Sequence, residues 1–100
     1  MAHRLSPRAE ADLDDIWWYT ATESGSTEIA QRQVATITQR FLLLSRYPLL
    51  GRARDEDLGQ GRRSYPVRPY VIIYRLDGDD VLILRVPRGS RELEALLYDE

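Results

Sequence analysis

Between residues 62 and 91 the chain carries seven arginines against three aspartates. This is its densest chemistry. Arg63 alternates with Tyr65 and Val67, and Arg62 with Ser64. Arg75 and Arg85 flank a turn at residues 77–80, and Arg88 and Arg91 bracket the next turn. A guanidinium is planar, permanently charged and forked, so it grips phosphate or carboxylate with two donors at once. Spread along a meander of strands, such side chains gather on one face or one edge. They offer a site to phosphate or to an acidic protein surface. Any single one of them is better explained by solubility and by cross-strand pairing with Asp or Glu; for the cluster the two readings stand level. All fourteen basic residues are Arg, which excludes lysine general-base chemistry.

Other chemistry is thin. With no cysteine there is no thiolate nucleophile, no disulfide framework and no thiolate metal site. The single histidine, His3, lies near the terminus without a second group to orient it. No serine sits in a nucleophile elbow. Asp12, Asp14 and Asp15, like Asp55, Glu56 and Asp57, read as solvated carboxylates rather than metal ligands. Asp77, Asp79 and Asp80 are explained by the turn they make. No metal and no cofactor is expected. Trp17 and Trp18 need separate treatment, because consecutive helix positions point about 100° apart. Trp17 follows the apolar stripe and is expected in the core. Trp18 falls on the side of Asp14, Asp15 and Thr22, where an exposed Trp marks a partner surface.

The elements that must position these residues follow from patterning. Residues 3–5 suit a short first strand. Ser6 and Pro7 open a helix as N-cap and first helical residue, with Glu10 and Asp12 near its positive end. Ala9, Leu13, Ile16, Trp17 and Thr20 make one face, and Gly25 ends the helix. Ser26 caps a second helix whose apolar stripe is Ala30, Val34, Ile37, Phe41 and Leu44, widened by Leu42 and Leu43. The short link makes the two helices antiparallel neighbours, and Tyr47-Pro48 stops the second. Residues 50–61 read as a loop. Residues 62–67, 70–76 and 81–86 read as three antiparallel strands, rich in β-branched and aromatic side chains. Residues 91–98, with Leu93, Leu96 and Leu97, suit a short final helix. Helices before strands indicates an α+β fold, in which a helical hairpin covers one face of a four-stranded antiparallel sheet.

One hundred residues make a single domain, residues 1–100. Hydrophobic residues at 43% indicate a folded chain. No apolar run suggests a membrane span and no signal peptide is evident, so the cytoplasm is the expected location. The net charge of −2 conceals an asymmetry. Residues 6–28 hold one Arg against six acids, so the molecule is expected to be dipolar, with an acidic N-terminal part and a basic sheet.

The chain as a whole resembles the ParE branch of the RelE/ParE toxin superfamily, the toxin halves of bacterial type II toxin–antitoxin pairs. Leu5-Ser6-Pro7, Ala9, Asp12-Leu13, Ile16 and Tyr19 match the opening strand and first helix, and Ala30 and Ile37 the second helix. Pro48 and Gly51 match the exit from that helix. Arg63, Val67, Tyr70, Tyr74 and Arg75 match the meander, and Ile83, Val86, Gly89 and Arg91 the closing strand and its end. The resemblance implies a toxin that poisons DNA gyrase by binding, without catalysis, and is neutralised by a ParD-like antitoxin in a hetero-oligomer. On that footing Arg63, Arg75, Arg88 and Arg91 are the expected target-binding residues, and Trp18, Arg62 and Arg85 the antitoxin-binding ones. The RelE-like branch, which cleaves mRNA on the ribosome, is the alternative. Its catalytic positions would fall on Arg62, Arg91 and Tyr98. Yet Ser64 replaces a lysine of that branch, Val71 replaces an arginine, and Tyr98 is offset by one residue. A non-toxic interaction module of the same fold is a third possibility.

Overall fold

The computed structural model describes residues 2–89. They run as β1 (His3–Leu5), α1 (Pro7–Ser24), α2 (Thr27–Arg46), β2 (Arg52–Ala53), β3 (Arg62–Val67), β4 (Tyr70–Asp77) and β5 (Asp80–Arg85). The final helix expected at residues 91–98 lies outside the described residues.

Each helix begins where its sequence says it should. The Ser6 hydroxyl accepts from the Ala9 amide at 3.0 Å and donates to the Leu84 carbonyl at 2.7 Å. One side chain thus caps α1 and ties it to β5. Gly25 takes a left-handed φ of 68° and closes α1 by donating to the Ala21 carbonyl. Without a Cβ it meets no steric penalty there. Ser26 then caps α2 by accepting from the Ile29 amide at 3.2 Å. The stripe of α2 is buried at Ala30, Ile37, Phe41 and Leu44. With Ala9 and Ile16 of α1 it packs on Val67, Tyr70, Ile72, Tyr74, Val81, Ile83 and Val86. A fully buried side chain of the Ile or Phe kind contributes roughly 1.5–3 kcal/mol, so this single layer holds helices to sheet.

Three expectations are corrected. The sheet has five strands, in the order β1-β5-β4-β3-β2, because Arg52 and Ala53 leave the supposed loop and pair with Ser64 and Arg63. β1 runs parallel to β5, with His3 opposite Val81 and Leu5 opposite Ile83; α1 and α2 return the chain so that its first and last strands point the same way. Leu42 does not widen the α2 stripe. It is 56% exposed, while the neighbouring Ser45 is buried and satisfied by the Leu42 carbonyl.

The exit from α2 is fastened to the centre of the sheet. The buried Tyr74 hydroxyl accepts from the Gly51 amide and donates to the Pro48 carbonyl, both at 2.8 Å. A Cβ on Gly51 would lie 2.5 Å from that oxygen and 2.9 Å from the Ser64 carbonyl. Glycine is required there by close approach. Among the described residues no helix is long and apolar enough to cross a membrane.

Candidate functional site: the arginine face and the α1 edge

Strand alternation sends Tyr70, Ile72 and Tyr74 of β4 into the core beneath the helices. Residues 71, 73 and 75 must then face away from it. Their cross-strand partners share that side: Pro66, Ser64 and Arg62 on β3, with Leu82 and Leu84 on β5. The open face is therefore an apolar strip of Val71, Ile73 and Leu84, with Leu58 of the β2–β3 connection folded onto Ile73. Arginines rim the strip. Arg62 stands directly opposite Arg75 across the β3–β4 ladder, a like-charge pairing that isolated sheets avoid. Arg52 pairs with Ser64 at the sheet edge, and Arg54 donates to the Ser64 hydroxyl at 3.0 Å. Beside them lies a depression of about 360 Å³ lined by Leu50, Arg52, Arg54, Ser64, Pro66 and Val71 among others.

Two of these arginines are already engaged. Arg54 is forked onto the Asp57 carboxylate, which holds Asp57 below the usual carboxylate range and raises Arg54 further. Arg62 donates to the Leu58 carbonyl at 3.0 Å, steadying the connection that covers Ile73. Val71 lies on this face near the start of β4, opposite Pro66, and Ser64 is buried. The arrangement presents charge and apolar surface to a partner. His3 lies on the other side of the sheet, its ring 5.7 Å from that of Phe41.

Arg63, Arg85 and Arg88 do not join this face. Arg63 sits on the helix side of β3, where it donates to the Gly51 carbonyl at 2.7 Å and holds the start of β2. Arg85 reaches Asp12 of α1 with two bonds, of 2.9 and 3.2 Å, and the Val86 amide donates to the same carboxylate at 2.8 Å. The side chains of Arg85 and Asp12 are only 19% and 14% exposed. Asp12 is thus no solvated carboxylate, contrary to expectation; it is the tie between α1 and β5. The ladder slips between Ile73 and Tyr74, and this bulge sets Arg85 for the contact. Arg88 lies over the Tyr19 ring at 4.7 Å, beside a groove of about 360 Å³ lined by Ile16, Tyr19, Tyr70, Arg85 and Val86. Arg91 and Tyr98 lie outside the described residues.

Of the two tryptophans, only Trp17 departs from expectation. Trp18 is 67% exposed. Trp17 is only half-buried and lines the outside of the helical hairpin with Leu13 and Val34. Although their Cα–Cβ directions diverge, the two rings meet edge to face, 5.2 Å apart at 82°.

Sequence reasoning missed Arg52, Arg54 and Leu58. A two-residue strand has no alternation to detect. The lone leucine in the charged run DEDLG was the available signal that this loop folds back.

The family profile described as the ParE toxin of the type II toxin–antitoxin system parDE matches residues 4–93. Toxin ParE3 of Caulobacter vibrioides is 40% identical over 86 residues, covering 86% of this chain and 84% of that protein. Toxin ParE1 of the same organism is 37% identical over 98 residues, 95% and 96% of the two chains. Among solved structures, a chromosomal ParDE toxin–antitoxin system from P. aeruginosa superposes with a TM-score of 0.77 at 27% identity, covering 90% and 97%. The RelBE2 toxin–antitoxin complex of Mycobacterium tuberculosis superposes at 0.66 with 26% identity, covering 87% and 95%.

Proposed function

The chain belongs to the ParE toxin family of type II toxin–antitoxin systems, and from that premise we propose that it inhibits DNA gyrase by binding and is held inactive by a ParD-like antitoxin. The observation that carries this reading is the composition of the open sheet face. Val71 lies on that face near the start of β4, opposite Pro66, where the RNA-cleaving relatives of the superfamily are expected to place an arginine. An apolar side chain cannot stabilise charge developing on a scissile phosphate, and losing one such donor costs about 10²–10³ in rate. The guanidinium groups of Arg62 and Arg54 carry only donors and cannot serve as general bases. Binding, by contrast, needs only a complementary surface.

The arginines divide the work by position. Arg62 and Arg75 on the open face meet acidic groups of the antitoxin or target, Arg62 being the antitoxin contact and Arg75 a target contact. Arg88, at the α1 edge, and Arg91 extend the target-binding surface. Arg63 and Arg85 act through the segments they hold, the β2 entry and α1. The antitoxin crosses the sheet and reaches the helices at Trp18, forming a hetero-oligomer in the cytoplasm with residues 1–100 acting as one domain.

Purified protein is expected to block supercoiling by reconstituted gyrase, or to trap cleaved DNA on it, and to leave mRNA intact on programmed ribosomes. Message cleavage in the ribosomal A site with gyrase unaffected would replace this reading with the endonuclease one, and Arg62, Arg91 and Tyr98 would be the residues to substitute next.

A further inference from the structure

The exposed side of α1 is the chemical opposite of the arginine face. Helix α1 carries Arg8 alone against Glu10, Asp12, Asp14, Asp15 and Glu23. Of these acids, Asp12 is spent on Arg85. The pairs of Arg4 with Asp77 and Asp80 and of Arg54 with Asp57 do not involve Glu10, Asp14 or Asp15. Glu10 and Asp14 line a groove of about 420 Å³ with Leu13, Trp17 and Val34. Trp17 and Trp18 stand nearly perpendicular beside it, so the corner shows the face of one indole next to the edge of the other. The largest apolar side chain in the chain is left 67% in solvent at that point. A ring face flanked by carboxylates attracts a cation twice over, through its quadrupole and through the neighbouring charge.

We propose that this corner receives a lysine or arginine from a basic stretch of the antitoxin, so that the antitoxin is acidic where it crosses the sheet at Arg62 and basic where it reaches α1. The inference rests on the reading that an antitoxin covers this chain, and it adds the sign and order of the charges on it. A segment of uniform negative charge would satisfy the sheet and be repelled by Glu10, Asp14 and Asp15. A segment of uniform positive charge would fail on the sheet. The two faces together therefore select a partner by charge order, which bulk charge alone cannot do.

The test is a titration of the toxin with the protein encoded beside it, read by calorimetry and by the emission of Trp17 and Trp18, the chain's two tryptophans. Asp14 is exposed in mid-helix, so Asp14→Lys leaves the fold intact, which a thermal melt verifies. Asp14→Asn is the milder second variant. Asp79→Lys, at the exposed tip of the β4–β5 hairpin, makes the same charge change elsewhere. Expected are a tenfold or greater loss of affinity for Asp14→Lys and for Trp18→Ala, a smaller loss for Asp14→Asn, and less than a twofold change for Asp79→Lys. Complex formation should also shift or quench the tryptophan emission. Tighter binding by Asp14→Lys would place an acidic segment at the corner and overturn the inference, leaving the antitoxin reading intact. Unchanged affinity and emission in an otherwise normal complex would do the same. Concentration-dependent self-association of the toxin that is lost on Trp18→Ala would assign the corner to a second copy instead. Failure of the wild-type proteins to associate at all would remove the antitoxin reading and this inference with it.

Discussion

Tyr74 and Asp12 each do at residue scale what a longer element does elsewhere. Tyr74 closes two backbone groups, at Gly51 and Pro48, from the middle of the sheet. Tyr74→Phe keeps the packing and strands both groups, so a loss of about 1–3 kcal/mol is expected in denaturant unfolding. Gly51→Ala pushes a methyl into the same oxygen and should cost a similar 1–3 kcal/mol, approximately, through overpacking. Burial also holds the Tyr74 hydroxyl above its ordinary value of 10.0. The folded protein then keeps this proton to higher pH than the unfolded chain does. The associated stability is complete below about pH 10 and is lost as pH climbs through the raised value. Denaturation midpoints should fall more steeply above that pH in the wild type than in Tyr74→Phe. Asp12→Ala leaves the Arg85 guanidinium shielded without its carboxylate and the Val86 amide without an acceptor. The expected loss is roughly 2–4 kcal/mol, below a fully buried pair because some exposure remains. Asp12→Asn should recover part of it through the Val86 bond, which a pure charge effect would not allow.

Among elements, the β2 entry and the Leu58 connection distinguish this sheet from a plain meander. Leu58 is the one apolar side chain that the connection lays over Ile73. Leu58→Ala is expected to cost about 2 kcal/mol, the lower end for a buried leucine, and to speed amide exchange along β3 while α1 and α2 stay protected. Uniform loss of protection would instead place Leu58 in the main core. Both helices were legible in sequence because caps, first-turn acids and apolar spacing agreed at Ser6, Glu10, Ser26 and the Ala30–Leu44 stripe. β4 and β5 were legible because β-branched and aromatic side chains run through them, and β3 as the strand joined to them through Arg68-Pro69. What escaped was whatever lacks a period. β2 is two residues long, the bulge at Ile73 and Tyr74 is a register property of two strands, and the parallel pairing of β1 depends on where the helices return the chain. The arginines were legible as a group but not as individuals. Whether an Arg meets solvent, a carbonyl or an aspartate is decided by neighbours as distant in sequence as Asp12 is from Arg85. Trp17 was misplaced for a related reason: helical spacing gives a direction from the axis, and a ring this large can lean across to touch its neighbour.

At the scale of the whole molecule the layers carry opposite signs, acidic along α1 and basic across the open sheet. Such a molecule orients an oppositely patterned partner before contact. The association rate with the antitoxin is expected to fall with added salt far more than the dissociation rate rises, and stopped-flow mixing at two ionic strengths checks this. The fold has another consequence, which lies in time. β1 pairs with β5, His3 against Val81 and Leu5 against Ile83, and the Ser6 cap that starts α1 bonds the Leu84 carbonyl. Leu5 therefore waits for Ile83, and Ser6 for Leu84, 78 residues further along the chain. A nascent chain halted before Val81 has its helical pair but neither β5 nor the partner for β1, so it cannot assemble the five-stranded order. Chains released at residue 76 should be digested rapidly by protease, whereas chains extended through Gly89 should resist it. A chain being translated would then offer no complete sheet until β5 has emerged, so a partner already in the cell can meet each chain as it folds.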